Sequence, residues 1–166
     1  MPCGLEQGWR EPLAHGCLPG AGGGRELSGA GGAGSLADVL DERARDLARG
    51  KNFAAFTTLL PDGRPSTHVM WVDADDEHVL INTEVGRQKY RNVTRDPRVV
   101  VTVIDAGNPY RYSEIRGRVT RTVTGDDARR QVDSLSEKYT GGPYANPIQT
   151  ERVILEITPD RVRHQG

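Results

Sequence analysis

Apolar and polar positions follow a strand-like pattern along the chain after residue 50. Residues 53–60, FAAFTTLL, carry β-forming side chains on both faces, which predicts a strand buried on both sides. A Pro-Asp-Gly-Arg turn at 61–64 leads to a return strand at 66–72, and a second turn at 73–77 leads to a strand at 78–83. Strands joined by such short turns predict an antiparallel sheet or barrel.

The second half of the chain continues this pattern. The apolar run Val99–Ile104 and the long segment Tyr110–Val123 predict two further strands, and Arg152–Ile157 predicts the last one. Gly117 falls near the middle of the long strand, where a glycine often marks the bend or bulge that closes a small barrel. We therefore predict a mainly β fold of about six antiparallel strands with flanking helices.

Three helices are expected beside these strands. Residues 35–38, Ser-Leu-Ala-Asp, form a capping box, and apolar residues at helical spacing follow until Gly50. A short helix follows the third predicted strand. A further capping box at residues 124–127 opens a helix with an apolar stripe, which ends at the Gly-Gly-Pro sequence 141–143.

The N-terminal segment has a different composition from the rest. Residues 1–34 hold 11 of the 20 glycines and few apolar side chains. Such a segment buries too little apolar surface to offset its ordering entropy, so we expect a disordered Gly-rich tail followed by one folded domain at residues 35–166. Both cysteines, Cys3 and Cys17, fall in this tail and lack the spacing of a zinc site or a redox pair.

Positive charge is concentrated in one stretch of the chain, residues 87–98. The formal charge of the whole chain is −1, which gives no argument for nucleic-acid or membrane binding. No apolar run has the length of a membrane span and no signal peptide is evident, so a cytoplasmic location is expected. Between Arg87 and Arg98, however, five cations accompany a single anion.

This basic stretch follows a predicted strand and opens a short helix at Thr83 or Gly86. The first turn of a helix has unpaired backbone N–H groups and the positive end of the helix dipole. With Arg87 and Lys89 beside that turn, the stretch suits a phosphate group. A solvated basic helix is the alternative, and the strand–turn–helix context followed by Asp96-Pro97 favours the phosphate site.

An ordered set of motifs matches a known family. Its members are Asp62-Gly63-Arg64-Pro65, Val69-Met70-Trp71, Asn82-Thr83, Lys89-Tyr90-Arg91-Asn92, Asp96-Pro97-Arg98 and the sequence YRYSEIRGR at 110–118. With these motifs the chain resembles the pyridoxamine-phosphate-oxidase-like split β-barrel superfamily. Within it, the chain is most similar to the branch that uses the deazaflavin coenzyme F-420. The resemblance covers residues 47–162.

The resemblance implies a homodimer of six-stranded split barrels with two cofactor sites in the grooves between subunits. In the family, basic residues after the third strand hold the cofactor phosphate, the second strand lies along the cofactor ring, and the end of the third strand reaches the ring edge or the linker hydroxyls. The cofactor-binding positions implied in this sequence are His68, Val69, Met70, Trp71, Asn82, Thr83, Arg87, Lys89 and, as a supporting donor, Asn92.

Several of these positions have a second interpretation. His68 either donates a proton at the ring or packs within its strand, and Trp71 either contacts the cofactor or belongs to the core. Tyr144, in the loop 142–147, either covers the site or caps the dimer.

No catalytic residue is assigned, because no serine has the setting of an activated nucleophile. The histidine spacing matches no metal motif, so no metal site is expected.

The function implied by the resemblance is that of an oxidoreductase. It would transfer a hydride between coenzyme F-420 and an unsaturated small molecule. Two alternatives use the same groove, namely an FMN-dependent oxidoreductase or oxidase, and a non-catalytic carrier that binds a flavin or deazaflavin. A nucleic-acid-binding module is disfavoured, because the basic stretch is short and Tyr90 is its only stacking aromatic.

Overall fold

The computed structural model describes residues 40–166, and the predicted tail and the capping box at residues 35–38 lie outside the described residues. The first helix, α1 (Glu42–Arg49), begins later than the sequence pattern predicted. Asp41 is extended (φ −67°, ψ 160°) and its carboxylate accepts the N–H of Ala44 at 2.9 Å. Asp41 therefore caps the helix, which ends at Gly50 as predicted.

Within residues 40–166, seven antiparallel strands form one sheet, with three helices beside it. The strands are β1 (Phe53–Leu59), β2 (Pro65–Trp71), β3 (Asp73–Ala74), β4 (Val79–Glu84), β5 (Arg98–Ile104), β6 (Tyr112–Thr124) and β7 (Arg152–Gln165), and the other helices are α2 (Gln88–Arg95) and α3 (Asp126–Thr140). Their order in the sheet is β2-β1-β5-β6-β7-β4-β3. The predicted mainly β fold with flanking helices is confirmed, and the additional strand is the two-residue β3.

The sheet closes into a split barrel because its two edges are neighbours in the chain. Strands β2 and β3 are the edge strands, and Val72 alone separates them. One residue spans about 4 Å at most, so the sheet must curl until the edges meet. Val72 is fully buried, its N–H donates to the Tyr139 hydroxyl at 3.2 Å, and its carbonyl accepts from Lys138 Nζ at 2.7 Å. Two side chains of α3 thus hold the junction.

The core lies inside this barrel. Phe56, Ile81, Val101, Ile115 and Leu155 from five different strands are fully buried there. Strand β1 alternates between buried and half-exposed side chains, so the expectation that it is buried on both faces is wrong for a single chain. Of the helices described between residues 40 and 166, none is long and apolar enough to cross a membrane.

Two ends of elements differ from their predicted positions. Thr124 is the last residue of β6, and Gly125 at φ 72° precedes α3 without a side-chain cap, so the capping box predicted there is wrong. Strand β7 continues to Gln165, well beyond the predicted end at Ile157, because its pairing with β6 extends that far. The last residues of β7 are mostly exposed and polar, which hides the strand pattern in the sequence. The end of α3 at Gly141 is confirmed, with the glycine at φ 78°.

Gly117 lies where β6 and β7 shift register, which confirms the predicted bulge. A side chain at this position would place its Cβ 2.3 Å from the carbonyl oxygen of Thr158. The close approach of the two backbones therefore disfavours any residue larger than glycine.

We expect Gly117→Ala to lower the free energy of unfolding by about 1–3 kcal/mol, because the backbone must shift to admit the methyl group. Gly142→Ala is the matched control, since a Cβ there meets no atom within 4 Å and should change stability little. Denaturant unfolding of both variants measures the difference. Equal stability of the two variants would contradict the close approach.

Candidate functional site

A cleft of about 380 Å³ opens beside the edge strand β2. Its walls come from β1, β2, the end of β4, the start of α2, α3, the loop after α3 and the start of β7. The lining residues are Phe53, Val69, Met70, Trp71, Asn82, Thr83, Glu84, Arg87, Lys89, Leu135, Tyr144, Asn146 and Arg152.

One end of the cleft is the start of α2. The helix begins at Gln88 with Arg87 as its N-cap, so it starts after both predicted positions, Thr83 and Gly86. Its first turn contains no acidic residue. In the described part of the chain, the backbone N–H groups of Gln88 and Lys89 have no acceptor. Unpaired N–H groups at a helix start attract an anion.

Only part of the basic stretch reaches the cleft. Arg91 donates to the carbonyl of Gly86 at 2.6 Å, Arg95 donates to the carbonyl of Leu59, and Arg98 pairs with Asp96 at 2.7 Å. The Arg98 guanidinium holds the pKa of Asp96 at about 2. The structure therefore separates these three cations from Arg87 and Lys89, which line the cleft.

Lys89 is half-buried in the cleft wall. Within residues 40–166, no acidic side chain lies within 4 Å of its ammonium group, which would otherwise form an ion pair. Burial lowers the pKa of Lys89, and the nearby Arg87 and Arg152 lower it further. An anion bound at this point would offset that repulsion, so the cleft suits a ligand that carries a phosphate.

Glu84 and Arg152 were missed by the sequence analysis. They lie opposite each other where β4 pairs with β7, and Glu84 Oε1 is 3.5 Å from Arg152 Nη1 and 3.4 Å from Arg87 Nη2. Burial alone would raise the pKa of Glu84, but backbone N–H groups and the Arg87 guanidinium together lower it below its usual value. The sequence signal that could have found them is their position, because Glu84 is a charged residue at the end of one apolar strand and Arg152 is a charged residue at the start of another.

Asn82 and Thr83 line the cleft, but the amide of Asn82 is already engaged. Its Nδ2 donates to the carbonyl of Ala128 at 2.8 Å and to Gln131 Oε1 at 2.9 Å, and its Oδ1 accepts from Arg152 Nε at 2.8 Å. Asn82 therefore joins α3 to Arg152. Thr83 is buried in the cleft wall.

Asn92 does not lie in the cleft. Its side chain is fully buried, its Nδ2 donates to Thr58 Oγ1 at 2.9 Å, and its Oδ1 accepts from Gln88 Nε2 at 2.8 Å. The amide ties α2 to β1 and leaves no group to support a phosphate. The structure thus does not bring Asn92 together with Arg87 and Lys89.

His68 points to the core side of β2, where it pairs in register with Phe56. It is half-buried and is absent from the cleft wall among the described residues. Burial lowers the pKa of His68, and the charge of Lys89 lowers it further. This placement agrees with the interpretation of His68 as a packed strand residue.

The other end of the cleft is aromatic. Trp71 stacks on Tyr139 with ring centroids 5.2 Å apart, and the edge of Tyr144 meets Trp71 at 6.2 Å. Arg152 lies over the Tyr144 ring at 5.2 Å. Val69 and Met70 complete this end, and Val69 is 73% exposed. The loop that carries Tyr144 thus forms one wall of the cleft.

The cleft therefore combines an anion-attracting helix start with an apolar, partly aromatic end beside an unpaired strand edge. This donor set fits a cofactor that has a planar ring and a phosphate. Among residues 40–166, no cluster of three histidine, cysteine or acidic side chains has a metal-binding arrangement.

Comparison with protein families identifies the class. Residues 40–166 match the family model described as pyridoxamine 5'-phosphate oxidase, and the chain belongs to this family. The fold of the family is a split barrel that binds flavin-type cofactors. No curated protein matches the chain.

Solved structures agree with this class. An F-420 reductase shares 33% identity, covers 75% of this chain and 98% of its own, and superposes with a TM-score of 0.65. A conserved hypothetical protein from Mycobacterium tuberculosis shares 26% identity, covers 79% of this chain and 88% of its own, and has a TM-score of 0.62. General stress protein 26 from Bacillus anthracis, at 16% identity, covers 75% of this chain and 92% of its own with a TM-score of 0.55, and shares the fold.

We expect Asn82→Ala to lower the free energy of unfolding by about 1–3 kcal/mol, because the Ala128 carbonyl and the Arg152 guanidinium lose a buried partner. Asn146→Ala is the control, since Asn146 is exposed on the same cleft. Thermal unfolding without added ligand measures both variants. Unchanged stability of Asn82→Ala would mean that this amide serves the ligand and not the fold.

Proposed function

We propose that the protein is an oxidoreductase that transfers a hydride between the deazaflavin coenzyme F-420 and an unsaturated small-molecule substrate. The observation that carries the proposal is the convergence of Arg87, Lys89 and the free N–H groups of α2 at one end of the cleft. The 33% identity with an F-420 reductase, over nearly the whole length of that protein, supports a deazaflavin as the cofactor.

Each part of the cleft has a role in this proposal. Arg87, Lys89 and the first turn of α2 hold the cofactor phosphate by charge-assisted hydrogen bonds. The edge of β2 from Val69 to Trp71 lies along the ring, and Tyr144 closes the aromatic end and excludes water. A reduced deazaflavin supplies the hydride when bound, so the residues of the chain need only bind, orient and shield it.

Removal of either cation should weaken cofactor binding. We expect Arg87→Ala and Lys89→Ala each to reduce the affinity for coenzyme F-420 by about 10- to 150-fold, since a charge-assisted hydrogen bond contributes about 1.5–3 kcal/mol. Fluorescence titration of the cofactor at fixed salt measures the change, because the contact is electrostatic.

The matched control is Arg95→Ala, which removes a cation from the same helix but outside the cleft. Its affinity should stay close to that of the unaltered protein. If all three variants bind the cofactor equally well, the basic stretch is a solvated helix and the proposed site fails.

The same titration distinguishes coenzyme F-420 from FMN as the preferred cofactor. FMN also carries a ring and a phosphate, so we expect it to compete for the cleft with lower affinity. Tighter binding of FMN than of coenzyme F-420 would replace the proposal with an FMN-dependent oxidoreductase. Tight binding of coenzyme F-420 without oxidation of the reduced form by unsaturated acceptors would indicate a carrier.

We also propose that two copies of the chain form a symmetric homodimer. The outer face of β2, β1 and β5 carries apolar side chains that the described residues leave half-exposed or exposed, including Ala55, Val69, Val100 and Ile104. Exposed apolar patches of this kind usually mark interfaces. Val69 also lines the cleft, so a second subunit on this face would complete the cleft wall.

Light scattering at micromolar concentration should give the mass of a dimer. Val100→Asp places a charge in the middle of the proposed interface, and we expect it to shift the protein toward monomer and to weaken cofactor binding with it. A stable monomer of the unaltered protein that still binds the cofactor would contradict the dimer.

A further inference from the structure

The cleft that attracts an anion already has an anionic side chain, Glu84, in its wall. Glu84 lies between Arg87 and Arg152 with its side chain only 3% exposed, and its Oε1 is 3.4 Å from Arg87 and 3.5 Å from Arg152. A ligand phosphate that reaches Arg87 therefore meets a carboxylate that uses the same guanidinium.

Glu84 is fixed in place by the loop before β7. Its Oε2 accepts the backbone N–H of Gln149 at 3.0 Å and that of Thr150 at 2.9 Å, and the hydroxyl of Thr150 lies at 3.4 Å. These bonds favour the charged carboxylate and prevent it from turning away. Glu84 is thus a permanent negative charge in the cleft wall.

The two arginines beside it differ in how firmly their contacts hold them. Arg152 is held by Asn82 and the Tyr144 ring, and its side chain is only 10% exposed. Arg87 is half-exposed, and its contact with Glu84 is long for a hydrogen bond. Arg87 is therefore the partner that a ligand can draw away from Glu84.

We propose that Glu84 competes with the ligand's phosphate for Arg87 and thereby prevents tight binding of ligands that are held by their phosphate alone. A small free phosphate must draw Arg87 away from Glu84 and tolerate the charge of that carboxylate, so it binds weakly. A ligand that also fills the aromatic end beside Trp71 and Tyr144 gains apolar burial that offsets this competition. The inference rests on the proposed function, since it takes the cofactor phosphate as the anion at Arg87.

Calorimetric titration with inorganic phosphate at fixed ionic strength tests the competition. We expect Glu84→Gln to bind phosphate about 3- to 10-fold more tightly than the unaltered protein, because a nearby negative charge is removed. Glutamine has the same size and its oxygen can still accept from Thr150. A residue that only stabilises the loop would instead give weaker binding, so equal or weaker phosphate binding overturns the proposal.

Glu151→Gln is the matched control. Glu151 is exposed and has no ion pair in the described part of the chain, so its removal changes the net charge equally and should leave phosphate affinity unchanged. If Glu151→Gln tightens phosphate binding as much as Glu84→Gln, the effect is one of net charge and the proposal is overturned.

Glu84→Asp provides a second route if the glutamine variant does not fold. Aspartate keeps the charge but withdraws it from Arg87 by one methylene, so we expect phosphate binding tighter than in the unaltered protein and weaker than in Glu84→Gln. Binding equal to or weaker than that of the unaltered protein overturns the proposal here too.

Arg87→Ala separates this inference from the proposed function. If Arg87→Ala weakens the binding of both phosphate and coenzyme F-420 while Glu84→Gln does not tighten phosphate, only the competition is wrong. If Arg87→Ala changes the binding of neither, phosphate does not bind at this site and both proposals fail. In the supported case, Glu84→Gln also binds coenzyme F-420 more tightly, because the cofactor phosphate meets the same carboxylate.

Discussion

The cleft depends on the antiparallel pairing of β4 with β7, which sets Glu84 directly opposite Arg152. A buried ion pair stabilises a fold only when further hydrogen bonds compensate the loss of water. Here two backbone N–H groups satisfy the carboxylate and Asn82 satisfies the guanidinium. The pair therefore forms a rigid part of the cleft wall, and Arg87 and Lys89 line the same cleft.

Features that depend on neighbouring residues were predictable from the sequence. The turn at Asp62-Gly63, the bulge at Gly117 and the end of α3 at Gly141 follow from backbone geometry that glycine alone permits easily. The basic start of α2 was also visible, because its cations are close together in the chain. Its two cleft residues, Arg87 and Lys89, were identified for this reason.

Features that depend on distant residues were not predictable. Glu84 and Arg152 meet only through strand pairing, and nothing near either residue indicates the other. The side chains of Asn82 and Asn92 were expected at the cofactor, but packing of the helices commits their amides to Gln131 and Thr58. The full length of β7 was hidden because most of its last residues are exposed and polar, which interrupts the apolar pattern of a strand.

The single residue between the two edge strands also limits how this chain can change. Side chains alternate across a strand, so one residue inserted beside Val72 would reverse the faces of β3 relative to β2. It would also pull the buried backbone of Val72 away from Lys138 and Tyr139. Insertions and new chain termini are tolerated best at exposed turns such as Asp62-Gly63. Relatives that differ in length should therefore vary at such turns and keep the junction at one residue.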